Sequence, residues 1–451
     1  MKKVYEKPLI QQVKTGITNK FGEAPLIKAQ DSIDEIKISD LVQSYDSPLF
    51  VFSENTIIKK YQEISSAFLH RYPNVVHAWS YKTNYLKSIC KIFHNLGSWA
   101  EVVSQMEYEM ATKLGVSPQN IIFNGPAKTY NDLKRALKEG ALVNIESFDE
   151  LNDVENIAEE FNSKVNIGIR VNVTLEPYVG WDRFGFSVES GYAYQAVKKA
   201  KLSGKINING IHCHVGTFIL EPEIYKTEVE KLVSFAKRIK DDFGFTIKYI
   251  DIGGGLPSCN KLKGSFFYNK DMIKPPENYA DAICTQLLSS FKPDELPLLI
   301  HETGRALIDE AGTLITTVCA TKRLGNNIRG VVIDAGVNLL VTSYWYDLDV
   351  IPTKEKGQDA EDHVIFGPLC MQIDVVKNSV NLPGLEKGDL ILIHPVGAYN
   401  NTQWMQFITL RPNVVMISKN GKIDLIRKAE TIDYLQERER IPEWLQKSGL
   451  H

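Results

Sequence analysis

A lysine stands directly after a largely apolar run in the first third of the chain. Trp79, Ser80, Tyr81 and Lys82 follow the run at residues 75–78. An ammonium group that points inward from the end of a strand has to be paired with an acid or used in chemistry. Lys82 is therefore a candidate functional residue. The structural alternative is a surface lysine just beyond the strand.

Three consecutive glycines follow a second apolar run, which begins at Tyr249. Gly253, Gly254 and Gly255 come two residues after Asp251. Because glycine has no Cβ atom, the backbone N–H groups of such a segment can approach an anion closely, as they do in a phosphate cradle. A flexible turn is the structural alternative, because turns also use runs of glycine.

Further groups with chemical potential follow other apolar runs. Glu302, Gly304 and Arg305 stand after residues 298–301, where a carboxylate and a guanidinium could form a simple buried ion pair. Farther along, Cys370 ends the sequence Gly-Pro-Leu-Cys and Tyr399 ends the sequence Gly-Ala-Tyr.

A histidine pair in the middle of the chain suggests a metal site at first sight. His212 and His214 flank Cys213. Neighbouring residues of a strand point to opposite faces, so Cys213 cannot join the two histidines, and two ligands do not make a zinc site. We expect no metal.

The elements that must position these residues follow an alternating pattern. Short apolar runs alternate with longer amphipathic stretches such as residues 225–240, which have apolar residues at helical spacing. About eight such strand–helix repeats predict an α/β fold with a parallel (β/α)₈ TIM barrel, whose functional groups collect at the carboxyl ends of the strands. The expected strands are 48–52, 75–78, 100–103, 121–124, 142–145, 165–171, 208–214, 249–252 and 298–301.

The pattern changes after Arg305, because short strands with turn residues between them replace the alternation. This pattern of short strands and turns predicts a C-terminal all-β domain. We expect an N-terminal segment (1–47) that adds to the β domain, a barrel (48–305), the β domain (306–420) and a polar tail (421–451) with one or two short helices. The β-domain strands are expected at 313–324, 330–335, 363–366, 390–393, 407–411 and 414–418.

Composition narrows the classes of function. The chain has 451 residues and a formal net charge of −3, and no cluster of Lys and Arg indicates nucleic-acid binding. The sequence contains no secretory signal and no run long enough to span a membrane. Six cysteines without a CxxC pair are typical of thiols in a reducing compartment, so we expect a cytoplasmic protein.

Taken in order, these motifs resemble those of the fold-type III pyridoxal-phosphate (PLP) decarboxylases, the family of diaminopimelate, ornithine and arginine decarboxylases. The resemblance spans roughly residues 48–412. It is closest to the diaminopimelate branch, with motifs similar to Y-x-K-x-N, H-x-H-[IV]-G-[ST], GGG, E-x-G-R, G-P-x-C and GAY. It implies an amino-acid decarboxylase that uses pyridoxal 5'-phosphate. It also implies a homodimer with shared active sites.

The resemblance assigns roles to individual residues. Lys82 is implied as the lysine that holds the cofactor as a Schiff base, and Glu302 as the acid that pairs with the pyridine nitrogen. Cys370 is implied as an acid supplied by the partner subunit, which protonates the α-carbon after CO₂ leaves. The other residues implied at the cofactor are His214 on the ring face, Thr217 where serine is usual, Gly253, Gly254, Gly255, Gly304, Arg305 and Tyr399.

Two positions depart from the diaminopimelate pattern. Met371 stands where an acid usually contacts the distal amino group of the substrate, and Thr342 stands where an arginine usually binds the distal carboxylate. Unpaired charges in a binding site are costly. We therefore expect an amino acid or amino-acid conjugate other than meso-diaminopimelate, such as an acylated or carrier-linked one from siderophore or secondary-metabolite biosynthesis.

Several alternatives stay open at this point. Diaminopimelate, D-lysine or D-ornithine remains possible as substrate if another acid, such as Asp374, takes the distal amine. An amino-acid racemase would use the same barrel but needs a second base opposite the lysine, and Cys370 favours decarboxylation. Non-catalytic relatives tend to lose the cofactor lysine, whereas Lys82 is present.

Overall fold

The computed structural model describes residues 27–176, 181–263, 272–355 and 360–446. The expected N-terminal segment and C-terminal tail therefore lie partly outside the described residues. The described chain begins with a two-stranded hairpin, a helix and a third strand. These elements are β1 (Ser32–Ile33), β2 (Ile36–Lys37), α1 (Ile38–Tyr45) and β3 (Leu49–Ser53).

Eight parallel strands close into a barrel, as the alternating pattern predicted. The last barrel strand pairs with the first, through Leu299↔Val75, and the ring continues through every neighbour. The strands are β4 (Val75–Ser80), β5 (Trp99–Val102), β6 (Ile121–Phe123), β7 (Leu142–Ile145), β8 (Val165–Asn172), β10 (Ile206–His212), β11 (Tyr249–Asp251) and β12 (Leu298–His301), with β9 (Phe186–Ser187) on the outer side of β8.

Helices cover the outside of the barrel. Three of them begin with a serine cap, and two of these caps, Ser104 and Ser147, follow barrel strands at their carboxyl ends. Ser104 accepts from the Glu107 N–H, and Ser147 accepts from the Glu150 N–H. The helices are α2 (Glu54–Leu69), α3 (Lys87–Asn95), α4 (Gln105–Lys113), α5 (Tyr130–Glu139), α6 (Phe148–Phe161), α7 (Tyr192–Ser203), α8 (Pro222–Phe243) and α9 (Pro276–Ser290).

A second sheet, mostly antiparallel, follows the barrel, as the change of sequence pattern after Arg305 predicted. It contains β13 (Gly312–Arg323), β14 (Arg329–Ile333), β15 (Asp349–Pro352), β16 (Ala360–Phe366), β17 (Val375–Pro383), β18 (Leu390–His394), β19 (Val414–Ile417) and β20 (Ile423–Arg427). The short helices are α10 (Arg305–Ile308), α11 (Ile432–Gln436) and α12 (Glu443–Gln446). None of the helices in the described part of the chain is long and apolar enough to cross a membrane.

The structure places three segments differently from the sequence analysis. β3, expected as the first barrel strand, pairs with β13 and β19 in the second sheet. All five residues of β3 are buried, and an apolar run of this kind does not reveal which sheet it joins. Residues 407–411, expected as a strand, have no regular structure, and β20 extends the β sheet into the expected tail.

The described part of the N-terminal segment, residues 27–47, packs against the β domain. Its hairpin stays outside the large sheet, while Ile33, Ile38 and Leu41 join a buried cluster with Val51 and Ile315. This apolar contact fixes the segment on the face of the β domain.

Candidate active site

A cavity of about 710 Å³ opens at the carboxyl ends of the barrel strands. Loops of the β domain complete its wall, so residues far apart in sequence meet there. Ten residues selected from the sequence line it: Lys82, His214, Thr217, Gly254, Gly255, Glu302, Gly304, Arg305, Thr342 and Tyr399. The location agrees with the general position of active sites in barrels of this kind.

Lys82 forms an ion pair with a buried acid inside the cavity. Its Nζ lies 2.5 Å from Glu101 Oε2, which also accepts from the Ser80 hydroxyl. Burial alone would lower the pKa of Lys82, but the carboxylates of Glu101 and Glu302 outweigh it and raise that pKa. The side chain of Lys82 is 41% exposed because its head opens into the cavity. The Lys82 side chain therefore points into the cavity.

Glu302 lies at the centre of a buried polar cluster. Asn124 Nδ2 donates to Glu302 Oε1 at 2.5 Å, and His212 Nε2 lies 3.5 Å from Glu302 Oε2. Burial opposes ionisation of Glu302, but His212 and Lys82 hold its pKa well below the usual range. Burial and the charge of Glu302 raise the pKa of neighbouring Asp251. Glu302 is thus the ionised member of this carboxyl pair.

The glycine loop packs too closely for any other residue. A Cβ atom at Gly254 would lie 2.4 Å from the Glu302 carbonyl oxygen, and one at Gly255 would lie 2.4 Å from the Gly216 carbonyl oxygen. Gly253 has a φ of +63°, and the Gly254 N–H donates to His214 Nδ1 at 3.2 Å. Burial lowers the pKa of His214 to about 3, so its ring is neutral.

A buried aspartate links Arg305 to the Gly-Ala-Tyr loop. Arg305 Nη1 lies 3.1 Å from Asp309 Oδ2, and the Ala398 N–H donates to Asp309 Oδ1 at 3.3 Å. The guanidinium stacks 4.2 Å from the Tyr346 ring centroid and 5.0 Å from that of Tyr399. This ion pair holds the loop against the cavity wall.

Four residues selected from the sequence do not line the cavity of the single chain. One is Gly253, which precedes Gly254 in the glycine loop. Cys370 is exposed, and Met371 is half-buried on the same loop. The Asp374 carboxylate, considered as a partner for a substrate amine, instead accepts from the backbone N–H groups of Val337 at 2.8 Å and Leu369 at 2.7 Å. Asp374 therefore organises the loop that carries Cys370.

Sequence reasoning missed several members of the site. Asn124 bridges Glu101 and Glu302, and Asp309 anchors Arg305, yet neither was selected as a functional residue. A signal existed for Asn124, because it is a polar residue at the carboxyl end of an apolar run in a barrel. Asp309 lies four residues after Arg305, directly after the short helix α10, and its sequence surroundings carry no comparable signal.

Comparison with known proteins identifies the family of this arrangement. Residues 54–309 match the family model described as the pyridoxal-binding domain of pyridoxal-dependent decarboxylases. The chain belongs to the pyridoxal-dependent decarboxylase family. This membership confirms the resemblance found in the motifs. It also confirms pyridoxal phosphate as the cofactor and decarboxylation as the reaction class.

Relatives of this decarboxylase cover nearly its whole length. Diaminopimelate decarboxylase of Aquifex aeolicus is 31% identical over 90% of this chain and 94% of its own. That of Helicobacter pylori strain J99 is 31% identical over 88% of this chain and 96% of its own. The crystal structure of the Methanocaldococcus jannaschii diaminopimelate decarboxylase superposes with a TM-score of 0.84 at 29% identity, covering 93% of this chain and 98% of that chain.

The cavity of this decarboxylase fits a phosphorylated pyridine aldehyde. The glycine loop forms a cradle that a single Cβ atom would fill. Arg305 Nε, in the same wall, is buried and has no hydrogen-bond partner among the described residues. A charged amine, an ionised acid and a neutral imidazole face the same space. The amine can react with the aldehyde of the cofactor, and the ionised acid can pair with its protonated ring nitrogen. The neutral imidazole can pack against the face of the ring.

Proposed function

We propose that this pyridoxal-dependent decarboxylase acts on an amino acid or amino-acid conjugate other than meso-diaminopimelate, such as an acylated or carrier-linked amino acid of secondary metabolism. The single observation that carries the proposal is the set of charges facing the cavity. Among the described residues of its wall, the carboxylates are Glu101 and Glu302. Both are engaged, by Lys82 and by Asn124. No acid of the chain's own described wall is left for a distal ammonium.

Within this proposal each buried group has a defined task. Lys82 would link the cofactor covalently, Glu302 would hold a proton on the pyridine nitrogen, and His214 would pack on the ring. The glycine loop, with Arg305 and Tyr399, would bind the phosphate. When bound, pyridoxal phosphate accepts the electron pair that the departing carboxylate leaves behind. The ionised state of Glu302 supports its task, because a protonated ring nitrogen needs an adjacent negative charge.

The distal end of the substrate meets neutral and positive groups. Thr342 stands where the diaminopimelate pattern has an arginine. The hydroxyl and the backbone N–H of Thr342 both donate to Asn400 Oδ1, at 3.0 and 3.2 Å. Arg183, which is exposed, also lines the cavity. This wall favours a neutral or anionic distal group.

Acids just outside the cavity are already occupied. Asp347 Oδ1 lies 2.9 Å from Lys377 Nζ, and Asp374 accepts from two backbone N–H groups. Moving the buried Asp374 toward a substrate amine would break both of its hydrogen bonds, which costs on the order of 1–3 kcal/mol. Moving Asp347, which is partly exposed, would take its charge away from Lys377. Diaminopimelate remains the second candidate, because curated relatives about 30% identical are named diaminopimelate decarboxylases.

We further propose a homodimer in which Cys370 enters the partner's cavity. Cys370 is exposed and shares its loop with Ile373, one member of an exposed apolar surface that also includes the cavity-lining Trp345. That surface comprises Tyr344, Trp345, Ile373, Phe407 and Ile408, each at least 40% exposed. Hydrogen bonds join its loops, from Val337 N to Asp374 and from Asn338 Nδ2 to the Phe407 carbonyl. Such a surface is typical of an interface between subunits.

Mixing two inactive variants tests the shared site. Lys82→Ala and Cys370→Ala subunits are each expected to lack activity, whereas hybrid dimers contain one cavity with both residues intact. We expect activity to return on subunit exchange, up to about one quarter of the native value for random pairing. No recovery after demonstrated exchange would contradict the shared site.

A substrate panel tests the proposed specificity. Carbon dioxide release is measured for meso-diaminopimelate, D- and L-lysine, D- and L-ornithine, L-glutamate and N-acylated diamino acids, with Lys82→Ala as the blank. The missing contacts predict that kcat/KM for diaminopimelate is at least about a hundredfold below that of the best substrate. Turnover of diaminopimelate at about 10⁴ M⁻¹s⁻¹ or above would contradict the proposal. Product chirality in D₂O, together with absence of CO₂, would identify a racemase.

A further inference from the structure

A chain of polar side chains crosses the apolar interior of the barrel below the cavity. Tyr249, in β11, lies across the barrel between Gly168 in β8 and Gly210 in β10. A Cβ atom at Gly168 would come within 2.1 Å of its hydroxyl oxygen, and one at Gly210 within 2.0 Å of its ring. The surrounding buried side chains include Ala78 and Ile122. Two glycines thus make room for one tyrosine.

Each member of the chain donates to the next. The Tyr249 hydroxyl donates to Asn144 Oδ1 at 2.8 Å, and Asn144 Nδ2 donates to Asn124 Oδ1 at 2.8 Å. Asn124 Nδ2 then donates to Glu302 Oε1 at 2.5 Å and to Glu101 Oε1 at 3.2 Å. All five side chains are buried.

The groups at the two ends of this hydrogen-bonded series allow only one donor-to-acceptor direction along it. Ionised carboxylates accept hydrogen bonds and cannot donate them, so Asn124 must turn its amide nitrogen toward Glu302 and Glu101. Its oxygen then faces Asn144, which must also present nitrogen. The oxygen of Asn144 consequently faces Tyr249, whose hydroxyl is the donor at the far end. Burial raises the pKa of Tyr249, so the hydroxyl keeps its proton.

An apolar barrel floor would need no such partners. Three polar side chains are stable in the apolar interior of the barrel because each of them is hydrogen-bonded to the next member of the series. The pairing fixes the orientation of the Asn144 and Asn124 amides. Asn124 in turn donates to both Glu302 and Glu101.

We propose that Tyr249, Asn144 and Asn124 are positioning residues that fix the orientation of the Glu302 and Glu101 carboxylates, with Tyr249 acting through the two asparagines. The inference depends on the task proposed for Glu302 at the pyridine nitrogen. Without the Tyr249 hydroxyl, Asn144 Oδ1 loses its donor, and the Asn144 amide is free to rotate. Asn144 can then turn its oxygen toward Asn124 Oδ1, and the repulsion between the two oxygens displaces Asn124 from the two carboxylates.

The test measures the cofactor in the holoenzyme as well as turnover. For Tyr249→Phe we expect the pH midpoint of the roughly 420 nm cofactor absorbance to move by at least about half a pH unit. We also expect kcat to fall about fivefold, with KM changed less than twofold. Asn144→Leu, which keeps the number and branching of the side-chain heavy atoms and removes the amide, should give the same pattern. It also decides the outcome if Tyr249→Phe does not fold.

A matched control separates positioning from general stability. Tyr72 is equally buried, and its hydroxyl donates to the Pro297 carbonyl at 2.7 Å, outside the cavity. Tyr72→Phe should leave the absorbance midpoint and kcat at native values.

Two results would overturn the inference. One is native midpoints and kcat in both folded Tyr249→Phe and Asn144→Leu. The other is an effect of Tyr249→Phe that persists undiminished in an Asn124→Leu background. Glu302→Gln serves as a separate check, because an unchanged midpoint in that variant would refute the task of Glu302 itself.

Discussion

Replacing Asp309 with asparagine should destabilise the protein strongly at the junction of its two domains. Asp309 Oδ2 accepts from Ser258 Oγ at 2.6 Å, Asn260 Nδ2 at 3.0 Å and Arg305 Nη1 at 3.1 Å, while Oδ1 accepts from Ala398 N at 3.3 Å. An asparagine offers one oxygen, so either the Arg305 side or the Ala398 side loses its acceptor. The change also leaves a buried guanidinium without its counter-charge.

The expected loss follows from the cost of breaking a buried ion pair, about 3 kcal/mol in the free energy of unfolding. Glu310→Gln is the matched control, because Glu310 is the next residue and pairs with Lys60 at 2.8 Å, with both side chains about a quarter exposed. That partly exposed pair should contribute less than about 1 kcal/mol.

Urea unfolding of the full chain at pH 7 and a fixed pyridoxal phosphate concentration measures both variants, because bound cofactor itself adds stability. Tryptophan fluorescence reports the transition. Equal losses for Asp309→Asn and Glu310→Gln, or a loss below about 1 kcal/mol for Asp309→Asn, would refute the reasoning.

Two further predictions concern the histidine core and the glycine loop. Burial lowers the pKa of His77 from 6.5 to about 4, so the unfolded chain takes up its proton first. His77 alone should lower stability by about 3 kcal/mol as the pH drops from 6.5 to 4, and urea unfolding should show a fall smaller by that amount for His77→Phe. Gly254→Ala should reduce pyridoxal phosphate content at least about tenfold, because its Cβ would lie 2.4 Å from the Glu302 carbonyl oxygen. Gly384→Ala, where nothing lies within 4 Å, should keep the cofactor, and equal content in both variants would contradict the close fit.

Much of the site could be predicted because its signals are local. Lys82, Glu302 and the glycines each stand directly after a barrel strand, and the closed barrel brings the carboxyl ends of its strands to one rim. The orientation of Lys82 toward an acid follows from the cost of burying an unpaired ammonium.

The features of the fold and of the site that could not be predicted depend on contacts between residues far apart in the sequence. Tyr249 fits across the barrel because Gly168 and Gly210 lack side chains, and no feature of either strand alone indicates that fit. β3 is buried on both faces, so its apolar pattern suited a barrel strand as well as the β sheet that it joins. Asp374, considered as a substrate contact, is bound by backbone N–H groups that its sequence neighbours do not identify.

The attachment of the cofactor to Lys82 is the central claim, and one measurement tests it directly. The holoenzyme is reduced with borohydride and digested, and the modified lysine is located by mass spectrometry. We predict the pyridoxyl group on Lys82, whose Nζ opens into the cavity. Lys128 is the informative alternative, because it is buried nearby and pairs with Glu150 at 2.9 Å. A pyridoxyl group on Lys128 or any other lysine, with Lys82 unmodified, would contradict the account.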